Sequence, residues 1–156
     1  MFKPIATALA GLSLMFAMPA TAQEAEVHAA DPIATVSAFM TAFDAQDADA
    51  MAPYLVDESI VAFIEEREGE DRTGIAMMAQ LVQGISGSQN DLAEPIWNIR
   101  GFEDGPVAVV SANFEFLIDG ERSHCGVNIF TLMRIEGTWK IATVTYSHIT
   151  EGCDAN

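Results

Sequence analysis

Phe130-Thr131-Leu132-Met133-Arg134-Ile135-Glu136-Gly137-Thr138-Trp139-Lys140-Ile141-Ala142 decides the fold. Two β-rich runs flank Glu136-Gly137, a pair suited to a two-residue hairpin turn because glycine accepts the positive φ such turns require. Asp119-Gly120 and Asp104-Gly105-Pro106 punctuate the chain upstream in the same manner. Together they predict four antiparallel strands in a meander, roughly Pro95 to Phe102, Val107 to Ile118, Glu121 to Ile135 and Thr138 to Ile149.

Before the meander the pattern is helical. Asp31 is placed to cap a helix whose first turn accepts Pro32, and Ile33, Val36, Phe39, Met40 and Phe43 recur on one stripe. Asp47 or Asp49 restarts a short turn that Pro53 ends, and Ile60 to Glu65 is β-rich and runs toward a charged turn around Glu68-Gly69. A second amphipathic helix is expected after Thr73, with Ile75, Met78, Leu81, Val82 and Ile85 as its stripe and Gly84 and Gly87 near its end. Helices followed by a curved antiparallel sheet make an α+β domain with the helices on one face.

At the other end, Lys3, the apolar run Ile5 to Met18, Pro19 and the small-residue site Ala20-Thr21-Ala22 predict a secretory signal peptide over 1–22. The run is too short to span a bilayer, which takes about 20 apolar residues. Residues 23–30 read as a flexible arm, 31–150 as one domain and 151–156 as a tail. Once the signal is removed, Arg67, Arg72, Arg100, Arg122, Arg134 and Lys140 face 23 acidic residues. So acidic a chain has no basic cluster for nucleic acid or for an anionic membrane surface. Cys125 and Cys153, an even pair in an exported protein, predict a disulfide tying the chain end to an interior strand.

The order of elements, the hairpin Phe130 to Ala142 and the opening Phe39 to Met51 resemble the SnoaL-like branch of the NTF2-like superfamily, over about Asp31 to Ile149. The resemblance implies a cone in which a bent sheet wraps a helix around a pocket, and a convex sheet face that commonly pairs with a second subunit. Its members include cyclases, isomerases, dehydratases and noncatalytic modules, so the fold does not choose a reaction. The bacterial character of the branch, with the short signal, implies a periplasmic or secreted protein.

Two-residue turns fix which residues sit opposite each other. From Asp119-Gly120, Glu115 is expected opposite His124, Asn113 opposite Gly126 and Ser111 opposite Asn128; from Glu136-Gly137, Asn128 faces Thr145 and Phe130 faces Thr143. One face then carries Val107, Val109, Phe130, Leu132, Trp139 and Ile141 at one end and Ser111, Asn113, Glu115, His124, Asn128, Thr143, Thr145 and Ser147 toward the other. The other carries Val110, Ala112, Phe114, Phe116, Val127, Ile129, Met133, Val144 and Tyr146. Matching Trp139 to Ile141 to the family pattern puts the mixed face inside and the apolar face in a homodimer. The swapped assignment stays open, because a one-residue slip reverses every side chain.

Glu115 beside His124 would orient the imidazole and raise its basicity, as proton abstraction from a carbon acid requires. Asn113, Asn128 and Thr145 would donate to a developing oxyanion, with Tyr54, Phe130, Trp139 and Thr143 available to line a ligand. The alternative is an ordinary cross-strand pair. His28, His124 and His148 show no metal-binding spacing, and no nucleophile elbow or phosphate loop occurs, so neither a metal nor a cofactor is expected. Three readings follow: a pocket for a small, largely apolar molecule; an isomerase, dehydratase or cyclase with His124 or Glu115 as base; and a dimeric structural module.

Overall fold

A computed structural model describes residues 31–66 and 70–153. The signal segment, the arm, the turn around Glu68-Gly69 and residues 154–156 lie outside the described residues. Helix α1 (Pro32–Asp44) begins where Asp31 accepts the Ile33 N–H at 2.8 Å. It buries Val36, Phe39, Met40 and Phe43, each removal from water contributing roughly 1.5–3 kcal/mol. Helix α2 (Ala48–Met51) is capped by Asp47, which accepts the Ala50 N–H at 2.9 Å, and a 3-10 turn over Ala52–Tyr54 carries Pro53.

Strand β1 (Leu55–Glu65) starts five residues before the predicted Ile60. Strand β2 (Arg72–Met77) replaces the expected first turn of the second helix, which begins only at α3 (Met78–Ser86). The segment Thr-Gly-Ile-Ala-Met is too short for its period to separate helix from strand. Tertiary pairing decides: β2 runs antiparallel to β1 from Ile60 opposite Met77 to Glu65 opposite Arg72. Ile75, 77% exposed, is therefore no part of the helical stripe, which buries Met78, Val82 and Ile85.

Strands β3 (Leu92–Ala93), β4 (Ile96–Asp104), β5 (Val107–Ile118), β6 (Glu121–Ile135) and β7 (Thr138–His148) complete the sheet. Its order is β2-β1-β7-β6-β5-β3, with β4 also paired to β5. The meander is antiparallel as expected, whereas β1 joins β7 in parallel and makes the sheet mixed. Helix α1 packs across β4, β5 and β7.

Both hairpin turns form at the predicted residues, with Asp119 and Gly120 at φ 53° and 82° and Glu136 and Gly137 at 52° and 84°. Positive φ at both positions is the twist-matched hairpin geometry. The register beyond each turn departs from the expected one. Leu117 faces Arg122 but Phe116 faces His124, so Ser123 is an extra residue; Leu132 faces Ile141 but Thr131 faces Thr143, so Ala142 is another. Such β-bulges invert the alternation of everything after them.

The inner face consequently carries Ala108, Val110, Ala112 and Phe114 of β5, His124, Asn128, Phe130 and Leu132 of β6, and Trp139, Ile141 and Val144 of β7, all buried. Val127, Ile129 and Met133 face outward, each more than a third exposed. Neither whole-face assignment survives: the bulges splice β6 of one expected face to β5 and the far half of β7 of the other. Where β6 and β7 reach their far ends, the chain approaches closely at Gly126, where an added Cβ would collide with the Ser147 carbonyl. Beside it, Cys125 and Cys153 form the predicted disulfide, and Cys125 and Ile149 exchange two backbone hydrogen bonds of 2.9 Å.

Candidate functional site

The inner face has a solid end and a hollow end. Val36, Val110, Leu132, Trp139 and Ile141 fill the first at 1% exposure or less. At the second lies a cavity of about 220 Å³. Helices contribute Phe39, Met40 and Phe43 from α1 and Met78, Leu81 and Ile85 from α3; the sheet contributes Val61, Phe116, His124, Asn128, Phe130, Val144 and Tyr146. Glu94, in the link between β3 and β4, supplies a carboxyl.

Glu94 is held from several directions. Its N–H donates to Asp44 Oδ1 at the end of α1, 2.7 Å away. Upstream in the link, the Leu92 N–H donates to Gln46 Oε1 at 3.2 Å while Gln46 Nε2 donates to the Ile85 carbonyl at 2.9 Å. Asp119 closes the other side, accepting the Asp91 N–H at 2.8 Å and donating its own N–H to the Asp91 carbonyl at 2.7 Å. Thus fixed, the Glu94 carboxylate accepts Asn128 Nδ2 at 2.7 Å.

Enclosure in an apolar wall pushes the Glu94 carboxyl up to about 7 despite the opposing Asn128 hydrogen bond, and the nearby Asp44 charge adds to the rise. Burial pulls His124 down to about 4, with His148 acting in the same direction and Glu65 against it. Its ring lies in a stack, 5.1 Å from Phe116 and 3.9 Å from His148. Tyr146 is raised by burial and then by Glu94. The wall therefore sets a carboxyl that holds its proton more tightly than usual beside an imidazole that holds its own less tightly, with an amide and a phenol.

The structure brings together three of the sequence-selected residues, His124, Asn128 and Phe130, at this cavity. Glu115 is not beside His124: it faces Cys125 across the strands and pairs on the outer side with Arg122 at 2.9 Å. Asn113 faces Val127 and Thr145 faces Ile129. Thr143 bonds Thr131 through their hydroxyls at 2.6 Å. Trp139 belongs to the solid core under Arg134, and Tyr54 packs against that core without lining the cavity. Glu94 and Tyr146 were missed as site residues. The detectable signal for Glu94 was a lone acid within the otherwise apolar Leu92-Ala93-Glu94-Pro95-Ile96-Trp97.

Among the described residues no group of three or more His, Cys, Asp or Glu is placed to hold a metal, and no helix is long and apolar enough to cross a membrane. No protein-family model and no curated protein matches the sequence. Solved structures do. An NTF2-like protein with a cystatin-like fold from Novosphingobium aromaticivorans superposes with a TM-score of 0.58 at 15% identity, over 78% of this chain and 81% of that one.

The fold is NTF2-like. A second NTF2-like protein, from Cytophaga hutchinsonii, gives a TM-score of 0.57 at 18% identity over 74% and 93% of the two chains. A candidate dehydratase of the NTF2-like family from Streptomyces avermitilis gives 0.59 at 14% over 81% and 98%. At these identities the NTF2-like architecture is what is shared. It accounts for the order of the elements and for the sheet wrapped about α1.

Proposed function

We propose that the protein binds a small, largely apolar molecule in the cone, oriented by Glu94, Asn128, Tyr146 and His124. The observation that carries this reading is a concave, mostly apolar cavity into which Glu94, Asn128, Tyr146 and His124 bring polar groups, the usual anatomy of a small-molecule site. The disulfide and the signal-like leader support an extracytoplasmic location, periplasmic or secreted. Titration with 2-naphthol, a neutral fluorescent bicycle, tests the site: saturable binding is expected in the wild type and loss of it in Leu81→Trp, which fills the cavity rim. Equal binding by both proteins would remove the cone as the site.

A second reading is favoured by one observation, the Glu94 carboxyl set in an apolar wall against Asn128 Nδ2 at 2.7 Å, where burial raises its pKa to about 7. A base so poised is suited to proton transfer on carbon, as in isomerisation or dehydration, with Tyr146 and Asn128 stabilising the oxygen that gains charge. Glu94 takes the base role first considered for His124 or Glu115. Glu94→Gln is then expected to abolish turnover while binding of the neutral probe 2-naphthol is kept.

The outer sheet face, with Val107, Val109, Ile129 and Met133 all exposed, supports a homodimer. Ile129→Glu is expected to shift the mass measured by light scattering from dimer to monomer; a wild type that is monomeric at high concentration contradicts this.

A further inference from the structure

We propose that the ligand is a small organic amine, bound as its ammonium ion with the nitrogen on the Glu94 carboxylate and the apolar body among Phe39, Phe43, Phe116 and Phe130. The inference rests on the cone being the ligand site and names the chemical class that enters it.

The first argument is the charge inventory of the wall. Among the described residues that line the cavity there is no Lys or Arg. Glu94 is its one carboxyl, and its side-chain hydrogen bond comes from a neutral amide, Asn128. The titratable groups around Glu94 are Asp44 at the end of α1, Tyr146 on β7 and His124 on β6, while the nearest cation felt in the wall, Arg72 on β2, lies outside the lining and is paired with Glu65 at 3.5 Å. Asp44 brings a second negative charge and buried His124 stays neutral, so nothing in the wall compensates an anion. A carboxylate or phosphate ligand would sit beside two acids with no counter-charge among the lining residues, whereas an ammonium would complete the missing pair.

The second argument is the wall itself. Phe39, Phe43, Phe116, Phe130 and Tyr146 line one space, an apolar surround that takes the hydrocarbon body of an amine while its nitrogen reaches Glu94. Size is the third. A dry apolar cavity of ~150 Å³ takes benzene, so about 220 Å³ suits one ring with a short aminoalkyl arm. A net charge of −16 would also concentrate cations around the protein.

No covalent step is involved. The amine arrives protonated, and the fraction of Glu94 that is a neutral acid releases its proton to solvent as the pair forms.

The test is calorimetric titration of the protein with three probes of one size: benzylamine, benzyl alcohol and benzoate. The expected order is benzylamine tightest and benzoate weakest, with Glu94→Gln losing at least tenfold for benzylamine and keeping benzyl alcohol. Benzylamine binding at pH 7 is also expected to release protons, read as a dependence of the heat on buffer ionisation enthalpy. Benzyl alcohol binding as tightly as benzylamine, or a Glu94→Gln protein that keeps benzylamine affinity, would overturn the amine assignment and leave the cone as a neutral site. Failure of all three probes together with 2-naphthol would overturn the reading of the cone as a ligand site as well.

Discussion

Asn128 Nδ2 donates to Glu94 Oε1 at 2.7 Å, joining strand β6 to a link 34 residues earlier in the chain. The bond stabilises the charged form of a carboxyl that burial and Asp44 otherwise oppose. Replacing Asn128 with Leu removes that donor and leaves the desolvation in place. The Glu94 midpoint, followed by carbon NMR of its side-chain carboxyl, is expected to rise above its value near 7. A midpoint unchanged in Asn128→Leu would mean that the bond does not persist in solution.

Stability against pH should show two opposing limbs. Glu94 is raised from 4.5 to about 7 on folding, so the folded state holds its proton more tightly and stability falls as pH rises from about 4.5 to 7. His124 is lowered from 6.5 to about 4, so the unfolded state holds that proton more tightly and stability falls as pH drops from 6.5 to 4. Each limb amounts to roughly 3 kcal/mol. Wild type is therefore expected to be nearly flat between pH 5 and 6.5, by order of magnitude. Glu94→Gln should weaken steadily on acidification there, and His124→Phe should weaken as pH rises. Urea midpoints at several pH values check all three; parallel profiles in the variants would refute the assignment.

The disulfide closes a segment of 28 residues. Chain-entropy reasoning gives about 3.5 kcal/mol for a loop of that length. Cys153→Ser, or treatment with a phosphine reductant, is expected to lower the unfolding free energy by that order, measured by urea denaturation. No change on reduction would show that the end of β7 is fully held by the Cys125 and Ile149 backbone bonds.

Gly126→Ala should destabilise by about 1–3 kcal/mol, because the new methyl meets the Ser147 carbonyl, which β7 holds in place. Gly84→Ala, where a Cβ meets nothing within 4 Å, serves as the control and is expected to leave the domain as stable or more so. Circular dichroism melts of the pair provide the comparison.

Short-range chemistry made much of this fold legible. Asp31 with Pro32, the turns at Asp119-Gly120 and Glu136-Gly137 and the Cys125 to Cys153 pair all act through local geometry or through simple counting. Register did not carry over the same distance. Each turn set the first pairs correctly, and then Ser123 and Ala142 each inserted a residue whose presence depends on how the sheet bends over α1, a tertiary matter. One bulge put Glu115, Asn113 and Phe116 on the opposite faces from those expected, and the other did so for Thr143, Thr145 and Tyr146. His124, Asn128 and Phe130 stayed inside because β6 keeps one phase between the two bulges. Glu94 escaped notice because it belongs to no periodic element; its place in the wall is set by Asp44, Gln46 and Asp119, whose partners are remote in sequence.

The most direct test of the central claim is a crystal structure of the protein purified from its native compartment, inspected inside the cone. The account predicts density for a compact molecule packed between Phe39, Phe116 and Phe130, with a polar atom within hydrogen-bonding distance of Glu94 or Asn128. A cone closed by its own side chains, with the Glu94 carboxylate turned out to solvent, would contradict it.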